Sequence, residues 1–232
     1  MPAVSDLELA DYRRRVAGIY QGVRDRGVDA NSWRWWVEQR RALLTTHPQS
    51  PLSAAARTNE EMSFFAYDPS WQVVGTVEEP TELHELPRLQ EGSSTFRPIG
   101  QVRFTRADQE YLLGLYWLDA YGGGLFLPFR DSTNGQSTYG AGRYLLDGAK
   151  SADLGSIGVN KLVLDFNFSY HPSCVWDPQW ACPLAPRENH MDVRVEAGEH
   201  KQRTKVPQES SLDYRCERCG SLTRDGDGHD CC

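Results

Sequence analysis

The feature that most constrains this chain is a run of short alternating segments between Trp71 and Tyr170, cut by turn signals and carrying no helical period. Trp71, Val73, Gly75 and Val77 alternate with Gln72, Val74 and Thr76, which reads as a strand. Residues 78–98 are acidic and irregular, a loop or an edge strand. Residues 99–105 and 111–120 read as the arms of a hairpin turning at Arg106-Ala107-Asp108. Gly122-Gly123-Gly124 ends the second arm, and Leu125 to Phe129 begins the next strand. Thr133-Asn134-Gly135 is a tight-turn signal, because Asn-Gly accepts the positive φ angles that hairpin turns demand. Residues 161–170 form the clearest strand pattern, with Leu162, Leu164, Phe166 and Phe168 on one face and Val163, Asp165 and Asn167 on the other. About six or seven strands without crossover helices pair antiparallel and curl.

Two helices precede them. Ser5 with Glu8 is a capping-box pattern, followed by Leu9, Tyr12, Val16, Ile19, Tyr20 and Val23 at helical spacing as far as Gly27. A second helix opens near Asn31 or Ser32, carries Trp33, Trp36, Val37, Arg40 and Leu44 on one side, and stops before His47-Pro48. Tryptophans at that spacing are core residues, and the Arg40-Arg41 pair reads as solvated. Thr58 with Glu61 suggests a further short helix start. The expected fold class is α+β: N-terminal helices, then a strongly curled, mainly antiparallel, barrel-like β-sheet, then a small C-terminal Cys-rich knuckle. The expected organisation is an N-terminal helix over 1–29, a core domain over 30–200, a linker over 201–211 and a Cys-rich tail over 212–232.

Composition excludes several classes. A net charge of -7 argues against a nucleic-acid surface, which needs a concentrated basic face. The N-terminus lacks the pattern of a signal peptide, and no apolar run approaches membrane-spanning length. The expectation is a cytoplasmic protein with neither nucleic-acid nor membrane partners; the oligomeric state is open.

The motifs His47-Pro48-Gln49-Ser50-Pro51-Leu52, Leu127-Pro128-Phe129-Arg130-Asp131-Ser132-Thr133, Thr138-Tyr139-Gly140-Ala141-Gly142-Arg143-Tyr144-Leu145 and Asp165-Phe166-Asn167 together resemble the bacterial and archaeal family called domain of unknown function 1684. Cys182-Pro183, Pro186, Glu188-Asn189 and Ala197-Gly198-Glu199 extend the resemblance, which covers roughly residues 30 to 200. The family implies no established activity. It implies that residues 165–199 belong to a common core and that the Cys-rich tail lies outside it. His171 and Val175-Trp176 depart from the family's usual residues.

Residues 165–199 are dense in proline, tryptophan and cysteine, and form the candidate site, a pocket for a small molecule between the curled sheet and this loop. Arg130, Arg143, Tyr144, Asp165, Asn167, Tyr170, Glu188 and Asn189 are the candidate ligand-binding residues. Arginine offers a planar fork for an anion, the tyrosines offer aromatic walls, and paired carboxylates can serve as acid and base. A hydrolase-like or transferase-like enzyme would use Asp165, Glu188, Arg143 or Cys174 as catalytic residues. Cys174 would need His171 or His190 as its base, with Asn189 or Asp165 orienting the ring. The competing readings are a non-catalytic scaffold whose polar residues only pin the loop, and cysteines that are small buried hydrophobes or a redox pair with Cys182. Gly140 and Gly142 do not form a nucleotide loop, since neither the spacing nor a following helix is present.

Four of the six cysteines fall at or beyond position 216. Cys216-x-x-Cys219-Gly220 is the turn that zinc knuckles use, and His229 with Cys231 (or Cys232) would complete four ligands. Such a zinc site would be structural or an interaction surface.

Overall fold

A computed structural model describes residues 2–53, 57, 62–79, 89–91, 94–119, 121–177, 180, 182–201, 214–215 and 222–223. The chain divides into two compact units, Met1–Lys201 and Gln202–Cys232. The larger opens with helix α1 (Pro2–Arg26) and helix α2 (Ala30–Thr46). Strands β1 (Ser63–Phe64), β2 (Gln72–Glu78), β3 (Leu89–Glu91), β4 (Ser94–Arg106), β5 (Gln109–Leu118) and β6 (Leu125–Asp131) follow. Next come β7 (Arg143–Asp147), β8 (Ser156–Ile157), β9 (Lys161–Asp165), β10 (His190–Met191) and β11 (Glu199–His200). Among the described residues the main sheet runs β10-β6-β5-β4-β2-β9-β8, with β3 added to β4 and β7 to β6. All its pairings are antiparallel except β10 with β6. The expected class, helices followed by a strongly curled antiparallel half-barrel, is what forms.

The curl has a visible closure. Tyr144 in β7 exchanges both backbone hydrogen bonds with Tyr170, at 2.9 and 3.2 Å, so the strand beyond β6 meets the chain just past β9. Period-2 alternation sorts side chains into two clusters. Leu113 and Leu115 of β5 and Leu127 and Phe129 of β6 join Trp71, Phe104 and Phe166 in one. Tyr116, Phe126 and Tyr144 point the other way and meet Tyr12, Tyr20 and Trp36 of the helices. A register shift between Pro98 and Gly100 puts Phe96 with the helical cluster and Val102 with the other. The β4–β5 turn uses Ala107 and Asp108 with φ of 47° and 62°, as a two-residue hairpin requires.

Four local features differ from what the sequence pattern predicts. Ser5 lies inside α1, which is already helical at Pro2, so Ser5 and Glu8 form no cap. The box belongs to α2: Asp29 Oδ1 accepts from Asn31 N and Ser32 N at 2.8 and 2.9 Å, and Asp29 N donates back to Ser32 Oγ at 3.0 Å. The strand expected over 161–170 stops at Asp165, where the carboxylate caps a 3-10 turn over Phe166–Phe168. Asp165 and Asn167 still meet, through that turn and not through strand alternation. Residues 94–98, expected as part of a loop or an edge strand, instead open the long strand β4. The helix start read at Thr58 and Glu61 lies outside the described residues.

Arg40 is the fourth. It is buried, not solvated: its Nε donates to Glu199 Oε1 at 2.5 Å, and its guanidinium lies 4.4 Å from the Tyr170 ring centre. Burial alone would lower its pKa, but the charge of Glu199 outweighs that and holds it above the ordinary value. Among the described residues no helix is long and apolar enough to cross a membrane. Because Arg40→Ala strands a buried carboxylate, the variant should lose about 3–5 kcal/mol in urea unfolding; a loss below about 1 kcal/mol would show that the pair does not tie α2 to the sheet.

Candidate functional site

Four buried polar centres occupy the region expected to carry the site. The first is Arg143, whose side chain, like that of Asp131, is wholly buried. Its Nη2 donates to Asp131 Oδ2 and Val195 O, both at 2.8 Å, and its Nη1 to Ala197 O and to Glu199 O, the latter at 3.2 Å. Asp131 Oδ1 in turn accepts from Thr133 N and Oγ1 at 2.7 and 2.5 Å. Arginine suits this position because its fork reaches a carboxylate and a row of carbonyls together. The pair therefore fixes residues 195–199 against β6 and β7.

The second centre is Asn189. Its Oδ1 accepts from Gly114 N at 2.8 Å, while Nδ2 donates to Gly114 O at 2.9 Å and to Pro128 O at 2.7 Å. Strands β5 and β6 pair directly only at Tyr116–Phe126 and Trp117–Leu125. The Asn189 amide acts as a substitute backbone rung where the two strands part.

Asp165 and Asn167 form the third. Asp165 Oδ1 accepts from Asn167 N and Nδ2 at 2.9 and 2.7 Å, and Oδ2 from Tyr67 Oη at 3.3 Å. Asn167 also bonds both ways to the Asp68 backbone, at 2.9 and 2.8 Å. Burial pushes the Asp165 carboxyl up to about 6, with Asn167 and Tyr67 opposing.

The fourth centre joins Glu199 and His171. Glu199 Oε2 accepts from His171 N at 2.7 Å, and His171 Nε2 accepts from Tyr139 N at 3.2 Å. Burial, reinforced by Arg143 and Arg40, holds the imidazole well below its ordinary pKa and hence neutral. Gly198, with φ of 78°, sits where any side chain would collide with Ser169, which explains a glycine before Glu199.

The expected site residues therefore do not converge. Arg143, Asp165 and Asn189 each have separate, complementary partners, and Glu188 is exposed. Arg130 Nη2 donates to Gly140 O at 3.1 Å, facing away from Asp131. Cys174 and Cys182 are free thiols, with Cys174 N donating to Cys182 Sγ at 3.3 Å. Cys174 Sγ faces Tyr139 Oη at 3.9 Å, whereas His190 pairs with Asp192 at 3.1 Å, so neither imidazole serves a thiol. Burial pushes the Cys182 thiol up to about 12.

The cavity lies elsewhere, between α1, the helical face of the sheet and the Pro/Trp/Cys loop. This chamber measures about 250 Å³. Leu9 and Tyr12 of α1, Phe96 and Phe126 of the sheet, and Trp180 and Pro183 of the loop give it apolar walls. Its polar groups are few: Arg13, Gln49, Ser173, the Cys182 thiol, and Asp147 paired with Lys150 at 2.9 Å. Tyr170 Oη donates to the same Asp147 oxygen at 2.9 Å, and Tyr144 Oη to Pro183 O at 2.6 Å. Of the expected ligand residues only Tyr144 lines this chamber. Arg13, Asp147, Lys150 and Trp180 were missed, because their proximity depends on α1 crossing the sheet and no local pattern reports that.

Among the described residues no three His, Cys, Asp or Glu side chains gather into a metal-binding group. Cys216, Cys219, His229 and Cys231 lie outside the described residues.

Fold and cavity together define an α+β half-barrel protein with a chamber roofed by its first helix. A solution NMR structure of an uncharacterised protein from Haloarcula marismortui is similar, at 28% identity and a TM-score of 0.55, over 75% of this chain and 97% of that one. The chain belongs to the family described as "Protein of unknown function (DUF1684)", which matches residues 57–200. No curated protein matches it. The sheet and loop walls of the chamber fall inside the matched residues; Leu9, Tyr12, Arg13 and Gln49 fall outside.

Two outcomes test these structural roles. Asn189→Ala leaves Gly114 and Pro128 groups without partners and should cost about 2–4 kcal/mol in urea unfolding; Asn189→Asp, which cannot donate, should rescue little. Because the folded pKa of Asp165 is raised from 3.8 to about 6, its stabilising share is full below the unfolded value and lost as pH rises through about 6. The stability of the natural protein relative to Asp165→Asn should therefore fall by about 2.4 kcal/mol between pH 4 and pH 7. A pH-independent difference would contradict the assignment.

Proposed function

We propose that this chain is a small-molecule-binding protein whose ligand occupies the chamber between α1, the curled sheet and the Pro/Trp/Cys loop. The observation that supports it is the chamber itself. A concave space of about 250 Å³, open on one side, is lined here by Leu9, Tyr12, Phe96, Phe126, Trp180 and Pro183. Apolar lining with a few placed polar groups is the usual constitution of a ligand site, and the size is near the lower end of such sites.

The alternative of hydrolase-like or transferase-like chemistry through Asp165, Glu188, Arg143 or Cys174 has no comparable support. Arg143 and Asp165 are buried against other partners, the half-buried Cys174 lacks a base, and Glu188 is exposed and stands apart from them. The free Cys174 and Cys182 fit a reducing cytoplasm.

The chamber reading is tested by filling it. Ala149 lines the chamber yet is exposed, so Ala149→Trp can enter the space without disturbing the core. Metabolites that raise the melting temperature of the natural protein should lose that effect in Ala149→Trp. Hits that stabilise both proteins equally bind elsewhere.

A second reading concerns the tail, which we propose binds zinc through Cys216, Cys219, His229 and Cys231. Strands β12 (Tyr214–Arg215) and β13 (Leu222–Thr223) pair antiparallel, and in the sequence Cys216, Cys219 and Gly220 lie between them. That is the setting in which a Cys-x-x-Cys turn presents two thiolates to one ion. Four protein ligands would make the site structural. The purified full-length chain should carry about one zinc per molecule, and the Cys216→Ser, Cys219→Ser double variant almost none; equal contents would remove the claim.

A further inference from the structure

A second cavity of about 10 Å³ adjoins the chamber, sharing Tyr12, Lys150 and Ser173 in its walls. It has room for about one water-sized atom. Three residues lining this recess carry buried polar atoms with no hydrogen-bond partner among the described residues: Tyr20 Oη, His171 Nδ1 and Trp176 Nε1. Each of them is a donor seeking an acceptor. An indole N–H can only donate. His171 Nε2 already accepts the Tyr139 N–H, so the neutral ring carries its proton on Nδ1. The nearest carboxylate oxygen to that atom, Glu199 Oε2, is 3.7 Å away, beyond hydrogen-bond reach. The Tyr20 hydroxyl has no partner among the described residues, so its proton is free to donate. Arg40, whose Nε holds Glu199, lines the same recess.

Charge favours the same conclusion. Arg40 with Glu199 and Lys150 with Asp147 balance within the two cavities, and the exposed Arg13 at the chamber wall leaves one positive charge over. The chain as a whole carries -7. Buried donors without acceptors cost free energy, and a single negatively charged acceptor would satisfy both the donors and the charge.

We infer that the chamber's ligand is a monocarboxylate with an aryl or short acyl body, whose apolar part fills the chamber and whose carboxylate places one oxygen in the recess. This rests on the chamber being the ligand site. Trp176 and Tyr20 are then recognition residues, and α1 and α2 supply the acid selectivity that the sheet alone lacks.

Matched pairs of acid and amide test it by calorimetry on the full-length protein: phenylacetate with phenylacetamide, 3-phenylpropanoate with its amide, and hexanoate with hexanamide. At least one acid should bind about ten-fold or more tightly than its amide, a difference of about 1.4 kcal/mol. Tyr20→Phe removes only a hydroxyl without a partner, so it should keep its melting temperature while cutting that preference to about three-fold or less. Trp176→Phe should cut it likewise and serves if the first variant does not fold. Equal affinities for acid and amide, the result expected if a buried water served the donors, would overturn the inference and leave the chamber reading standing. Failure of every acid and amide to bind would overturn both. An acid preference undiminished in the variants would place the carboxylate away from the recess and overturn the inference alone.

Discussion

Glu199 is the residue on which the rest of the unit depends. Its side chain holds α2 through Arg40 and the start of the Pro/Trp/Cys loop through His171 N, its carbonyl accepts from Arg143, and its N–H reaches Ser169 O at 2.9 Å. One carboxylate and its peptide groups thus connect a helix, a loop and two strands. A buried charge is tolerated only when paired and hydrogen-bonded, and both of its oxygens are. Because removal of either charge strands the other, the helices cannot shift on the sheet without a large cost. The first helix packs against α2, so the roof of the chamber rests on this anchored helix.

The polar residues that look most chemical are, for the most part, those that hold this frame. Arg143 replaces hydrogen bonds that residues 195–199 would otherwise lack, Asn189 replaces a missing rung, and Asp165 with Asn167 ends β9 and anchors residues 67–68. Irregular buried backbone must find partners outside helix and sheet ladders, and long polar side chains are the available means. The dense loop and the buried polar residues are two sides of one requirement. The chamber, by contrast, is bounded mainly by apolar surface, with Asp147 and Lys150 an ion pair among its described residues.

Legibility in the sequence followed the range of the interaction. Alternation located β2, the β4–β5 hairpin and β6, since a period of 2 is a local property, and the curl followed from the absence of crossovers. The 3-10 turn after Asp165 was not legible, because the Asp165–Asn167 cap overrides an otherwise unbroken strand pattern. Arg40 was misread for a related reason: on a helix face arginine is normally solvated, and its partner lies 159 positions away. The motifs containing Asp131 and Glu199 were visible as a family resemblance, but their roles require the Arg143 and Arg40 contacts. Tyr144 was the one expected ligand residue that reached the chamber, and Tyr170 reached the recess.

The space under α1 is the proposed seat of a small molecule. The most direct measurement follows the seven tryptophan indole N–H resonances of the full-length protein while small aromatic fragments are titrated in. Trp180 lines the chamber and Trp176 the recess, whereas Trp33 Nε1 is held by Asn167 O at 3.0 Å and lines neither. Saturable shifts of the Trp180 and Trp176 resonances with Trp33 unmoved are the predicted result. Shifts confined to Trp33, or no saturable shift at Trp180 with any fragment, would contradict it.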